Sequence, residues 1–223
     1  MTKALFVQAM VKFLLGAALV GLLIFLPAGT WYFANGWLLM GALFIPMFLA
    51  GIVMMLKNPA LLRSRLNAKE KEADQDLVIK LSGLMFLAGF ILAGLDFRFG
   101  WSKLPGWVSS LGAVLFLGSY VLFAEVLREN TWLSRTIEVQ EGQTVVSTGL
   151  YGIVRHPMYS ATLVLFLSMP VVLGSVPAFL VFLCYPFLIA KRIRNEEQVL
   201  TRELPGYREY KRKVRWRLIP YIW

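Results

Sequence analysis

The chain has little acid and almost none of the residue types that build metal centres or crosslinks. One histidine and one cysteine in 223 residues leave no zinc set, no His-Glu-x-x-His helix and no nucleophile elbow. Cys184 can form no intramolecular disulfide, so it carries no message about redox compartment and reads as a small packing residue within the membrane. There is no Asn-x-Ser/Thr acceptor, internal repeat or low-complexity tract, and no glycine-rich loop of the kind that cradles a nucleotide. Charged residues make up only 16% of the chain, against 58% hydrophobic and 14% aromatic. That balance excludes an ordinary soluble domain and describes an integral membrane protein.

Two long stretches lack charge altogether: Phe13 to Leu56, and His156 to Ala190 if the histidine is neutral. A helical crossing takes about 20 apolar residues, so the first stretch is two spans, broken at Pro27-Ala28-Gly29 beside Trp31, Tyr32, Asn35 and Trp37. The apolar run after Lys3 and Lys12 passes into a second span without a small-residue cleavage site, and therefore reads as a span and not a secretory leader. Leu77 to Leu95 and Leu104 to Leu127 give spans three and four. The expected fold is all-α: a polytopic bundle of four spans plus a C-terminal helical hairpin over 156–190, with a small cytoplasmic extended or β segment. Residues 1–223 form one membrane-embedded domain, 1–128 carrying the four spans and 129–223 the catalytic region.

Charge placement sets the topology. Of 23 Lys and Arg, two precede the first span, six lie from Lys57 to Lys80, two follow span three, three lie from Arg128 to Arg155, and ten lie from Lys191 onward. With the N-terminus cytoplasmic, the rich loops face inward, as the positive-inside bias prefers. The uncharged 156–190 stretch would run about 50 Å as one straight helix, well beyond the hydrocarbon thickness. A single crossing would also put the ten C-terminal cations outside. A hairpin removes both difficulties, and Pro170, Gly174, Ser175 and Pro177 supply its bend. Its arms are then roughly 24 Å each, re-entrant or tilted, and Tyr159 and Arg192 meet at one membrane face. The net charge of +10 suits anionic inner-leaflet lipids better than nucleic acid. Lys211, Arg212 and Lys213 read as lipid-facing, and Trp216, Tyr221 and Trp223 as an interfacial anchor.

Between span four and the hairpin, Thr136-Ile137-Glu138-Val139-Gln140 and Gln143-Thr144-Val145-Val146-Ser147 flank a Glu141-Gly142 turn, the pattern of a small β-hairpin. Gly149 and Gly152 bracket Tyr151 and let backbone come close to a ligand. Taken singly, the polar residues have plain explanations. A lone interfacial His156 is a hydrogen-bonding residue by default. Arg192 and Glu196 have the i, i+4 spacing of a helix pair, and Glu125 with Arg128 and Asp96 with Arg98 are helix-end charges reaching water.

Together they carry more. Gly149-Leu150-Tyr151, then Arg155-His156-Pro157-Met158-Tyr159, then Arg192 with Glu196-Glu197, then Gly206-Tyr207 and Tyr210, resemble the isoprenylcysteine carboxyl methyltransferase family, membrane methyltransferases related to phospholipid N-methyltransferases. The resemblance covers roughly 130 to 223. It implies a membrane enzyme using S-adenosyl-L-methionine from the cytosol and a lipophilic or prenylated acceptor from the bilayer. It also implies a site facing the cytoplasm, in the inner membrane of a bacterium or the endoplasmic reticulum of a eukaryote. By that analogy Gln140, Gln143, Thr144, Val145, Val146, Tyr151, His156, Pro157, Met158, Tyr159 and Glu196 fall on cofactor-binding positions and Arg192 on a catalytic one, with no metal. Ala161 departs from the pattern, where the family usually has glycine, and its methyl is expected to narrow the pocket or shift the helix.

Residue chemistry is compatible with that implication. An ionised Glu196 complements a sulfonium and an ammonium, and Met158, Val145 and Val146 suit an adenine ring. Arg192 would clamp a carboxylate acceptor, which needs no general base because it is already ionised at neutral pH. Methylation of a carboxylate is the first expectation. An amine or thiol acceptor, and a non-catalytic membrane scaffold or lipid-binding protein, are the alternatives.

Overall fold

The computed structural model describes residues 3–59, 62–63, 66, 73–133 and 139–223. Helices dominate: α1 Lys3–Ala28, α2 Ala34–Lys57, α3 Ala73–Phe99, α4 Gly106–Glu129, α5 Pro157–Leu173, α6 Val176–Phe182, α7 Tyr185–Glu203 and α8 Tyr207–Lys213. Among the described residues, five apolar stretches are long enough to cross a membrane: Ala4–Ala28, Ala34–Lys57, Leu77–Phe99, Gly106–Glu129 and Val176–Glu203. Large apolar side chains cover the outside of these helices, including Leu14, Leu15, Leu19, Leu22 and Leu26 on α1 and Val114 and Val121 on α4. In water such a surface would drive aggregation, whereas in a bilayer it is the lipid face. The chain is a multi-pass membrane protein.

Lipid tails are as apolar as leucine, so close packing and interhelical hydrogen bonds hold the bundle. Ile24, Leu39, Phe116, Val172, Phe182 and Ile193 are fully buried. The α4 and α5 backbones approach at Gly112, where a Cβ would lie 2.7 Å from the Val172 nitrogen. Any side chain there must push the two helices apart.

The interhelical turns gather at one end of the bundle. Asn35 Nδ2 donates to Ser109 Oγ at 3.0 Å and to the Leu173 carbonyl at 3.4 Å, tying α2 and α4 to the bend after α5. Asp96, expected as a helix-end charge in water, is instead buried and accepts from the Ser102 amide and hydroxyl, each at 2.7 Å. Ser102 Oγ in turn accepts from Val176 N–H at 3.0 Å. The loop after α3 thus closes on its own helix end and on the start of α6.

The hairpin forms with the expected breakers. Gly174 takes the left-handed conformation that ends α5 (φ 71°), Ser175 Oγ accepts from the Ala178 amide, and Pro177 sits in the first turn of α6. The arms differ from the expectation in length. The first has 17 residues, about 26 Å by helix rise. The second does not end at Ala190: Val176–Glu203 runs for 28 residues, interrupted only near Leu183 and Cys184, so its polar half projects beyond the apolar layer. Tyr185 Oη donates to Thr162 Oγ1 at 2.9 Å and links the arms. Cys184 lies on the outside of the bundle, not in its packing.

The expected β-hairpin is also corrected. Residues 136–138 lie outside the described residues, and 139–147 contain no strand; the Glu141-Gly142 turn is present, closed by Gln143 N–H to the Gln140 carbonyl at 3.0 Å. Gln140 and Gln143 engage each other and Trp132 through side chains, Gln140 N–H to Gln143 Oε1 at 2.9 Å and Gln140 Nε2 to the Trp132 carbonyl at 2.8 Å. Those bonds occupy groups that a strand ladder would need.

Candidate functional site

At the end of the bundle opposite the turns, four pieces of chain converge: the end of α4, the 139–156 segment, the start of α5 with α7, and α8. The α4 terminus docks the Tyr151 turn. Leu150 N–H donates to Glu129 Oε2 at 2.9 Å and Asn130 Nδ2 donates to Tyr151 Oη at 2.9 Å. Gly149 has φ 50°, and a Cβ there would run into the Glu129 carboxylate, so glycine is required. From the far side, Tyr210 Oη donates to the Tyr151 carbonyl at 2.7 Å. Burial pushes the Tyr151 phenol up to about 12, with the Asn130 bond opposing, so it stays a neutral hydrogen-bonding group.

Next comes Arg155-His156, aligned by backbone bonds to the C-terminal segment: Arg155 N–H to the Trp216 carbonyl and His156 N–H to the Arg217 carbonyl, both 2.9 Å. His156 precedes α5, and Pro157 opens the helix, where its missing N–H costs nothing. The buried His156 ring lies against Tyr159, centroids 5.7 Å apart and planes 28° from parallel.

The adjacent glutamates of α7 have different surroundings. Tyr185, Ile189, Ile193 and Glu197 form a buried stripe at i+4 spacing, while Arg192, Glu196 and Leu200 form a second stripe that lines a cavity. Arg192 and Glu196 meet through Tyr159, whose hydroxyl donates to Glu196 Oε2 at 2.5 Å and accepts from Arg192 Nε at 3.0 Å. Glu197 accepts from Arg155 Nε at 2.6 Å and Arg217 Nε at 3.0 Å, with His156 Nε2 3.3 Å and Lys211 Nζ 4.0 Å away. Arg155 also donates to the Val214 and Arg215 carbonyls at 2.8 and 2.9 Å. Lys211, read from sequence as lipid-facing, turns toward this cluster instead.

The cavity is open to solvent on one side, and together with its mouth it spans about 830 Å³. Of the residues expected to bind cofactor, Gln143, Thr144, Val145, Val146, Tyr151, His156, Met158, Tyr159 and Glu196 line it, as does Arg192. Gln140 and Pro157 do not: the first shapes the loop beneath and the second starts α5. Ala161 is buried and is absent from the lining, so its methyl does not narrow the cavity. Sequence reasoning passed over Asn130 and Trp132 at the α4 end, Leu200 and Leu204, and it used Arg155, Tyr207 and Tyr210 as motif residues without placing them in the site. Leu200 was detectable, since it continues the i+4 series from Arg192 and Glu196. Nothing local marked Asn130.

Tyr207 carries the clearest sign of a ligand. The residue lines the cavity, and its buried hydroxyl has no hydrogen-bond partner among the described residues. Burial pushes its ionisation well up, and the Glu197 and Glu196 charges push the same way. A buried neutral hydroxyl without a partner is costly unless something completes it.

Parts of the chain are similar to known proteins. Residues 110–202 match the model of the isoprenylcysteine carboxyl methyltransferase (ICMT) family. The Delta(14)-sterol reductase TM7SF2 of Mus musculus is 33% identical over 91 residues, 40% of this chain and 22% of that protein. The cobalt-zinc-cadmium resistance protein CzcN of Cupriavidus metallidurans is 33% identical over 128 residues, 56% of each. A Delta(14)-sterol reductase of Methylotuvimicrobium alcaliphilum is 28% identical over 93 residues, 40% of this chain and 22% of that one. The chain thus spans about a fifth of the two reductases and just over half of the resistance protein.

Proposed function

We propose that this member of the isoprenylcysteine carboxyl methyltransferase family, matched over residues 110–202, is an S-adenosyl-L-methionine-dependent methyltransferase whose acceptor is a lipophilic carboxylate taken from the membrane, an isoprenylcysteine-type acid being the model case. Its single domain would include both the spans and the site, which would face the cytoplasm. The observation that carries the reading is the Arg192–Tyr159–Glu196 relay at the wall of a cavity between the ends of two hairpin arms. It sets a carboxylate and a guanidinium side by side where the apolar layer ends.

The residues fit the methyl donor. Glu196 provides negative charge for a cationic ligand, Val145, Val146, Met158, Leu200 and Leu204 provide apolar walls, and the Tyr207 hydroxyl lacks the partner that a polar ligand would bring. S-adenosyl-L-methionine, when bound, supplies an electrophilic methyl group on a sulfonium sulfur. The protein's part is to hold and exclude. Glu196 neutralises the donor's charge and is itself held by Tyr159. Arg192, whose Nε is held by Tyr159, supplies positive charge toward an anionic acceptor. Such pre-orientation can supply about 7–11 kcal/mol of a bimolecular barrier. No side chain has to remove a proton, because a carboxylate is already ionised.

Arg192 favours an anionic acceptor over an amine or a thiol. An amine would have to lose a proton first, so its rate would climb with pH through the amine's pKa. Two of the relatives are sterol reductases, and reduction needs a hydride donor, in biology commonly a phosphate-bearing dinucleotide. Arg155, Arg217 and Lys211 face Glu197, an arrangement poorly suited to several phosphates.

Calorimetry on the purified protein in lipid nanodiscs tests the reading. S-adenosyl-L-methionine should bind, and Glu196→Gln should weaken it severely; binding of NADPH in its place would overturn the proposal. Membranes incubated with methyl-labelled donor should yield a base-labile lipophilic ester. Base-stable label would assign an amine, a labelled volatile thioether would assign a thiol, and no transfer would leave a scaffold.

A further inference from the structure

Glu197 cannot touch a ligand directly, since it sits on the buried stripe of α7 and is absent from the cavity lining. Its position nevertheless dictates the state of a residue that does line the cavity. The Glu197 carboxylate, held by Arg155 at 2.6 Å and Arg217 at 3.0 Å, is ionised and can only accept. Its Oε1 lies 3.3 Å from His156 Nε2. A hydrogen bond at that contact requires the proton on Nε2.

The second ring nitrogen has no such partner among the two glutamates. Around the imidazole stand Glu196 and Glu197, faced by Arg155, Arg217 and Lys211 on one side and Arg192 on the other. Nδ1 is 3.9 Å from Glu196 Oε1, too far for a hydrogen bond. At Nδ1, then, neither glutamate is placed to accept a proton.

We infer that Glu197 is a positioning residue that locks His156 as the Nε2–H tautomer and so presents Nδ1 to the cavity as a hydrogen-bond acceptor, matched to an N–H or O–H donor of the bound cofactor. The pair of glutamates divides its work: Glu196 supplies charge, and Glu197 supplies the orientation and protonation state of a neighbour. The tautomer follows from the protein alone. The ligand contact rests on the methyl-donor reading.

His156 is the chain's single histidine, so ¹⁵N-histidine labelling gives one pair of ring resonances with no assignment ambiguity. Ligand-free protein in nanodiscs should show Nε2 protonated and Nδ1 unprotonated. A proton on Nδ1, alone or on both nitrogens, overturns the inference. Glu197→Gln, which can turn its amide NH₂ to the ring, should give a tautomer mixture; a retained single Nε2–H form overturns it. Should that variant fail to fold, Glu196→Gln decides, because an unchanged spectrum supports Glu197 as the determinant and a changed one assigns the role to Glu196. Addition of S-adenosyl-L-methionine should shift Nδ1 to lower frequency while Nε2 stays protonated. Calorimetric binding with an unmoved Nδ1 refutes the ligand contact. Absence of binding refutes the methyl donor and leaves the tautomer standing.

Discussion

Replacing Arg155 with methionine isolates the interaction on which the site's framework depends. Side chains of Arg155 and Glu197 are 6% and 4% exposed and meet at 2.6 Å, so water cannot take the place of the lost guanidinium. Removing one partner of such a buried pair costs about 3–5 kcal/mol, and the folded-to-unfolded ratio should fall by roughly two to three and a half orders of magnitude. Arg217→Met is the internal control. That side chain is 33% exposed, and solvent screening discounts its loss to about 1 kcal/mol or less. The double variant Arg155→Met with Glu197→Met removes the buried carboxylate that has lost its shortest contact, though Arg217 still lies 3.0 Å from it in the single variant, and should recover much of the loss. Recovery should be incomplete, because the Val214 and Arg215 carbonyls still lack the donor that Arg155 provided. Reversible unfolding in mixed micelles, followed by tryptophan fluorescence, measures all three. If Arg155→Met falls within about 1 kcal/mol of wild type, matching Arg217→Met, the cluster is solvent-screened and the reasoning fails.

The cavity makes further claims. Tyr207→Phe should leave ligand-free stability unchanged or higher, since it deletes a hydroxyl without a partner, yet weaken cofactor binding by about 1 kcal/mol; thermal midpoints and calorimetry check the two halves. Gln140→Ala should weaken cofactor binding far less than Gln143→Ala, because only Gln143 lines the cavity. Gly149→Ala should cost roughly 1–2 kcal/mol for the left-handed backbone alone, with added loss of binding as the Tyr151 turn leaves Glu129; unfolding titration and calorimetry read each. Burial pushes the Tyr151 phenol up to about 12, above the value near 10 of an unfolded tyrosine. Its contribution to stability is therefore complete below about pH 10 and lost as pH rises through the folded value. Tyr151→Phe should remove that component from the alkaline limb of the stability profile.

Much of the fold was legible because a membrane simplifies the physics. Spans are recorded directly in charge-free length, and the hairpin followed from a stretch too long to cross once and too short to cross twice comfortably. The bend needed only Gly174, Ser175 and Pro177, whose local chemistry acts over a few residues. What stayed hidden was non-local. Asp96 reads as a helix-end charge until Ser102 folds back onto it, and Asn130 reads as a helix terminus until Tyr151 arrives from a turn 21 residues on. Residues 139–147 contain no strand for a related reason, since alternation and a good turn do not form a ladder when Gln140 and Gln143 bond each other and Gln140 bonds Trp132.

The most instructive residue is Glu197. In sequence it is half of a pair, and nothing in a pair of identical neighbours says that they act differently. Helix geometry separates them by about 100°, and the apolar residues upstream say which is which. Tyr185, Ile189 and Ile193 point into the bundle, so the next residue in that series must be buried, and an ionised carboxylate there demands cations from elsewhere in the chain. Arg155 and Arg217 answer that demand. By bonding the same carboxylate, they bring the start of α5 and the C-terminal segment to a fixed distance from α7. Charge neutralisation of one glutamate thus builds the wall against which the other can work. An apolar residue at 197, even one that stabilised the bundle, would lose the cavity's shape together with the proton position on His156.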